Sequence, residues 1–193
     1  MRTVLVLTSN AFREIVRERT VAIVFFGAIV LLALSFFLMT LSFDEQRRIL
    51  IHLGFGSIHF ACLAIVLFLG SFLIQREIDR QTVLMVLSRP VTRFQFLVGQ
   101  FLAICMLLIC QIAIQGLLLS GLLGFQIALD RFLFVLVCIF MEMAVVLAFI
   151  FLAIQWVRPV VGLLAGLSLF LVGNWLEEMK FFAENSSDEA FKV

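Results

Sequence analysis

From residue 21 to residue 42 the chain carries no charge at all, a run of 22 residues. At about 1.5 Å per residue, such a run reaches across a bilayer core of about 30 Å. Runs of the same kind return at about residues 51–75, 97–123, 132–154 and 159–175. Hydrophobic residues make up 64% of the chain, with 23 Phe and no Tyr, against about 45–50% apolar in soluble domains. A chain this apolar cannot cover a water-facing surface. The expected fold class is all-α: a polytopic membrane helical bundle of about five transmembrane helices, with a further helix at each kind of polar edge.

The first of these edge helices covers residues 1–20. Val4, Leu7, Ala11, Ile15 and Val16 recur at three-to-four spacing, while Asn10, Arg13, Glu14, Arg17 and Glu18 take the other face. This predicts an N-terminal interfacial amphipathic helix in the headgroup plane, apolar side down; the other reading is a solvated extension of the first span. The transmembrane domain then occupies residues 21–176, and residues 177–193 form a polar, acidic tail. Within the spans, Gly54, Gly56, Gly70 and Ser71, the run Gly116, Ser120 and Gly124, and the pair Gly162 and Gly166 are expected to permit close helix packing. Asp130 is expected to cap the fourth span.

Charge distribution sets the orientation. Nine of the 14 Lys and Arg residues fall in the N-terminus, residues 76–96 and the turn at 155–158; five fall in the other loops and the tail. The positive-inside tendency then puts the N-terminus and residues 76–96 in the cytoplasm. With five spans the C-terminus falls outside, which leads to the expectation that a sixth span is missing from this sequence.

Residues 76–96 are the sizeable polar segment flanked on both sides by spans. From Glu77 to about Leu87 they suit a helix, with Glu77 and Asp79 at the start, where the helix dipole favours acids. Val83, Leu84, Met85, Val86 and Leu87 follow without interruption. Five apolar residues in a row cover the whole circumference of a helix, so this one is expected to be buried on one side by its own spans and on the other by a partner. Pro90 disfavours helical geometry at Arg89 and ends the helix. Thr92 with Gln95 forms a capping-box pattern that starts the next one, with Val91 and Phe96 placed as a staple. The segment reads as a stiff lever tied to two spans; a plain cytoplasmic loop is the simpler alternative.

Here the sequence resembles the ABC type-2 permeases, membrane subunits of ATP-binding-cassette exporters. Between spans two and three they often carry an acid, Gly-Thr, an apolar stretch, Ser-x-Pro-Val-Ser-Arg and a closing Gly-Lys. This chain has Glu77, Gln81-Thr82, the apolar pentad, Ser88-Arg89-Pro90-Val91-Thr92-Arg93 and Gly99-Gln100. It departs at Gln81 and Gln100. Residues 10–20 also look like the family's N-terminal interfacial helix, and the subgroup most similar is that of copper-enzyme-maturation transport. The resemblance implies that Glu77, Arg80, Thr82, Val83, Leu84, Met85, Leu87, Ser88, Arg89, Pro90 and Arg93 form a coupling helix docked on a separate ATPase subunit. It implies an exporter permease in the cell (inner) membrane, multi-pass and N-terminus cytoplasmic, paired with a second permease copy as homo- or heterodimer. ATP and Mg would be bound by the partner ATPase, with no cofactor in this chain. The sequence has no GxxxxGK[ST] phosphate loop, and nothing in it points to nucleic acid.

Glu142 is a carboxylate in the middle of a span, where a charge costs about 2.5–3.5 kcal/mol on insertion scales. It is either a substrate or proton contact, or a partner in an interhelical hydrogen bond with Gln111, Gln115 or another subunit. Gln111 and Gln115 share one helix face. With His59 these residues make a possible substrate path. His52 and His59, seven apart, lie roughly on one face, and polar packing accounts for them more simply than metal binding. Cys62, Cys105, Cys110 and Cys138 lack metal-ligand spacing. Two rival functions remain: a membrane scaffold that recruits a cytoplasmic partner without transport, and an intramembrane enzyme centred on Glu142.

Overall fold

In a computed structural model of the chain six helices follow one another: α1 (Arg2–Val16), α2 (Arg19–Leu41), α3 (Gln46–Asp79), α4 (Arg93–Leu122), α5 (Leu129–Ile154) and α6 (Pro159–Asn185). The structure describes residues 2–41, 46–79, 93–124 and 129–185, and the side-chain surroundings of residues 6–41, 47–72, 94–124 and 129–175. There is no strand among the described residues. Helices α2 to α5 are each long and apolar enough to cross a membrane, and the apolar part of α6, Pro159–Trp175, is shorter. The chain is an all-α polytopic helical bundle.

Helix α3 is its centre, packing against α2, α4, α5 and α6. Ile58, Cys62, Ile65 and Val66 on α3 meet a core that includes Ile104 and Leu108 of α4 and Met143, Leu147 and Ile150 of α5. Helix α2 is peripheral: Ile23 and Phe26 are both 70% exposed, as befits side chains turned to lipid rather than to protein. Phe55 packs on Phe132 with ring centroids 5.5 Å apart, and Phe101 meets Phe151 edge-on at 5.8 Å. Both pairs fasten α5 to the helices before it.

Glycine placement decides how closely the helices approach. A Cβ added at Gly166 would lie 2.5 Å from Ile150 Cγ1, and one at Gly162 would lie 2.8 Å from Ile154 Cγ1. The GxxxG of α6 therefore seats that helix on α5. Gly54 and Gly116 act similarly, against Leu119 and Leu136. Two expectations about small residues fail. Gly56 has open space where a side chain would sit, and Gly124, with φ of 66°, follows the end of α4 as a left-handed stop rather than a packing residue.

Helix α1 is distinct from α2; the chain breaks at Arg17 and Glu18, whose amides bond back to Glu14 and Ile15 carbonyls. Thr8, Ala11 and Ile15 are buried, and the helix packs on α4, with Leu7 against Gly99. Its buried stripe thus rests on protein at the root of α4, and Val16, expected on the apolar face, is 48% exposed.

Two boundaries differ from expectation, and one helix runs past its apolar length. Asp130 lies inside the first turn of α5 rather than at its cap, still where an acid suits the dipole. Helix α6 continues ten residues past Trp175, so residues 177–185 of the polar, acidic tail are helical. No Gly or Pro interrupts them, and Glu, Met, Lys and Ala are good helix formers. Finally, α3 runs unbroken to Asp79, because nothing from Gln75 to Asp79 stops a helix. Glu77 and Asp79 therefore continue α3 instead of opening a separate helix. At 34 residues α3 is about 51 Å long and outreaches the bilayer core.

Candidate functional site

Two polar places interrupt the apolar bundle, and three helices make the first. His59 lies near the middle of the apolar window of α3, and Glu142 near the middle of α5. Asn174 is on α6, one turn beyond Phe170 and two beyond Gly166, so the close α5–α6 seat brings it level with Glu142. Asn174 Nδ2 lies 3.5 Å from Glu142 Oε1 and donates to the Phe170 carbonyl at 3.1 Å. His59 Nε2 lies 3.1 Å from Glu142 Oε2. That contact is close but misdirected, because the nitrogen has no hydrogen bond of proper angle; proximity, not a formed N–H···O bond, describes the pair. Phe170 meets the His59 ring edge-on, with centroids 5.3 Å apart.

The cluster is only half enclosed. The Glu142 side chain is 41% exposed and that of His59 26%. In water this would be unremarkable for a carboxylate, but at mid-span the medium outside the bundle is lipid, a water-filled space or another chain. Polar groups at that depth turn toward the latter two.

The second polar place is on α4. Gln111 and Gln115 are completely covered, at 0% and 1% exposure, and no amide atom of either has a hydrogen-bond partner among the described residues. Leaving a buried polar group unpaired costs about 1–3 kcal/mol. The expected bond from Glu142 to Gln111 or Gln115 is therefore absent: Glu142 has turned to His59 and Asn174 instead. His52, by contrast with His59, is exposed.

Asn174 and Phe170 escaped the sequence reading. A single Asn in an otherwise apolar stretch of α6 was the available signal, but its partner lies 32 residues away on another helix. Among the described residues no three His, Cys, Asp or Glu side chains gather to hold a metal ion.

Of the residues assigned to coupling, Arg80, Thr82, Val83, Leu84, Met85, Leu87, Ser88, Arg89 and Pro90 lie outside the described residues. Glu77 lies in α3 and Arg93 in α4. Thr92, expected to cap α4, lies outside the described residues. The two helices flank a connection of 13 residues, 80–92. Helix α1, whose Leu7 packs on Gly99 of α4, has on its polar edge a shallow depression lined by Asn10, Arg13, Glu14, Arg17 and Glu18.

Comparison with known proteins agrees with this architecture at the level of the family. A family model described as ABC-2 family transporter protein matches residues 12–174. No curated protein and no solved structure matches the chain. The match runs from within α1 to the Asn174 that completes the polar cluster, taking in all four of the long apolar helices, and the chain belongs to the ABC-2 transporter family.

Proposed function

We propose that this chain is the permease subunit of an ATP-driven exporter, and that residues 76–96 couple it to a separate ATPase subunit. The family match over residues 12–174 carries the reading. Physical support comes from the helices on either side: α3 and α4 pack on each other and both lead straight into the 80–92 connection. A push on that connection would be delivered to two core helices at once. Glu77, Arg80, Thr82, Val83, Leu84, Met85, Leu87, Ser88, Arg89, Pro90 and Arg93 form the docking element in this reading. The apolar pentad fills a groove on the ATPase, and Pro90 keeps the joint stiff.

The working unit is two permease copies with two ATPase subunits in the cell membrane, N-termini cytoplasmic, with ATP and Mg bound by the ATPase. Closure of the ATPase pair would tilt α3 and α4 against α5 and α6, which is a hinge-and-shear switch. Glu142 and His59, at the junction of those two groups, belong to the substrate path, with Gln111 and Gln115 as polar contacts exposed in the other state.

Copurification tests the partnership. The wild-type chain should bring down a nucleotide-binding subunit from detergent-solubilised membranes, and Leu84→Asp should lose it. If no ATPase copurifies and Leu84→Asp leaves transport intact, the reading fails. A scaffold without transport would bind the partner yet show no ATP-dependent substrate movement in vesicles.

A further inference from the structure

Glu142 is the one formal charge anywhere in the apolar lengths of α2 to α6. The nearest residue of opposite sign on its own helix, Arg131, is three turns away, about 16 Å along the axis. The two side chains that touch its carboxylate bring no fixed charge: Asn174 is neutral, and His59 Nε2 lies at 3.1 Å without the alignment of a donor. The carboxylate is also open on one side. Val145 and Met141, beside it on α5, are 65% and 58% exposed, so the opening has an apolar rim on the outer surface of the bundle. A carboxylate beside an apolar rim, in a low-dielectric medium and with no fixed charge on the described side chains that touch it, suits one kind of ligand best. Such a ligand carries an ammonium group on a hydrocarbon body, because the ammonium donates to the free carboxylate edge while the body stays in apolar surroundings.

We propose that Glu142, flanked by His59 and Asn174, is a binding site for the ammonium head of a lipophilic amine that enters from the membrane. The proposal gives a ligand class to the substrate-path role of Glu142 and rests on that part of the functional reading. It does not depend on ATP or on an ATPase subunit, so binding is measured on this chain alone. Failure here leaves the coupling proposal standing, and failure of copurification leaves this one standing.

Trp175, next to Asn174 and 69% exposed, is a built-in reporter. The chain has two Trp residues, so Trp156→Phe leaves Trp175 alone. The full chain carrying Trp156→Phe is placed in phosphatidylcholine nanodiscs. It is titrated with a bromoalkylamine and with the bromoalkanol of equal length, each corrected for its partitioning into protein-free discs. The amine should quench Trp175 saturably, at a concentration at least tenfold lower than the alcohol. Glu142→Gln should abolish the difference and Glu142→Asp should retain most of it. Equal quenching by amine and alcohol overturns the proposal, as would occur if a proton already neutralises the carboxylate or a second copy covers it. Amine-selective quenching that survives Glu142→Gln overturns it too. Should Glu142→Gln fail to assemble, the amine-to-alcohol ratio in the Trp156→Phe chain decides alone.

Discussion

The glutamine pair on α4 and the cluster around Glu142 deal with polarity inside a membrane bundle in opposite ways. Gln111 and Gln115 are neutral, wholly buried and without hydrogen-bond partners among the described residues. Glu142 is ionisable, half exposed and approached by residues from two other helices. A neutral amide can be covered at a cost of about 1–3 kcal/mol per unpaired group. A charge at mid-span cannot be covered so cheaply, and it keeps an outlet. Three serine hydroxyls take a third course, though that of Ser71 is buried without a partner among the described residues. Ser57, Ser35 and Ser168 bond back to carbonyls one turn earlier on their own helices and ask nothing of their neighbours. Burial therefore separates the two places: the neutral amides are covered, and the ionisable group stays half open.

The largest effect should come from separating the helices that build the cluster. Gly166→Leu would drive a side chain into Ile150, and overpacking of that kind costs about 1–3 kcal/mol. Thermal unfolding in detergent should show the loss, and because Asn174 shares the displaced face, binding at Glu142 should weaken with it. Gly56→Ala, which meets open space, should leave both unchanged.

Glu142→Gln comes next and separates function from stability. It should lower transport by the reconstituted complex at least tenfold, about 1.4 kcal/mol in an equilibrium constant, while the melting temperature changes little. A large drop in melting temperature with transport preserved would make Glu142 a structural residue and erase the contrast with the glutamines.

Replacing Gln111 or Gln115 with Met keeps the length and removes the unpaired amide. Either change should leave stability the same or raise it by up to about 1 kcal/mol. If Gln115→Met instead destabilises the chain, its amide has a partner in the assembled protein and the contrast is weaker than drawn. The smallest effect is expected on the outer face of α2: Phe26→Leu should stay within about 0.5 kcal/mol of wild type.

Much of the fold was legible because uncharged runs of twenty or more residues have few alternatives. Helices α2 to α5 follow from such runs. What stayed illegible depends on contacts or competing preferences. The helix through residues 177–185 was not legible because Glu177, Glu178 and Lys180 mark a polar tail without revealing that their helix propensity permits continuation. Gly124 has the spacing of a packing residue, but its positive φ serves to stop a helix. The partners of Glu142 were hidden for a plainer reason: His59 and Asn174 lie on other helices, far away in sequence, and Gln111 looked an equally good neighbour until helix packing placed each face.

The proposed coupling is tested most directly by ATP hydrolysis in nanodiscs containing the permease and its copurified ATPase. The wild-type permease should stimulate hydrolysis severalfold over the ATPase alone, and Leu84→Asp should remove that stimulation while Phe26→Leu retains it. Full stimulation by Leu84→Asp would contradict the account, because the apolar pentad would then not be the element through which this chain engages its ATPase.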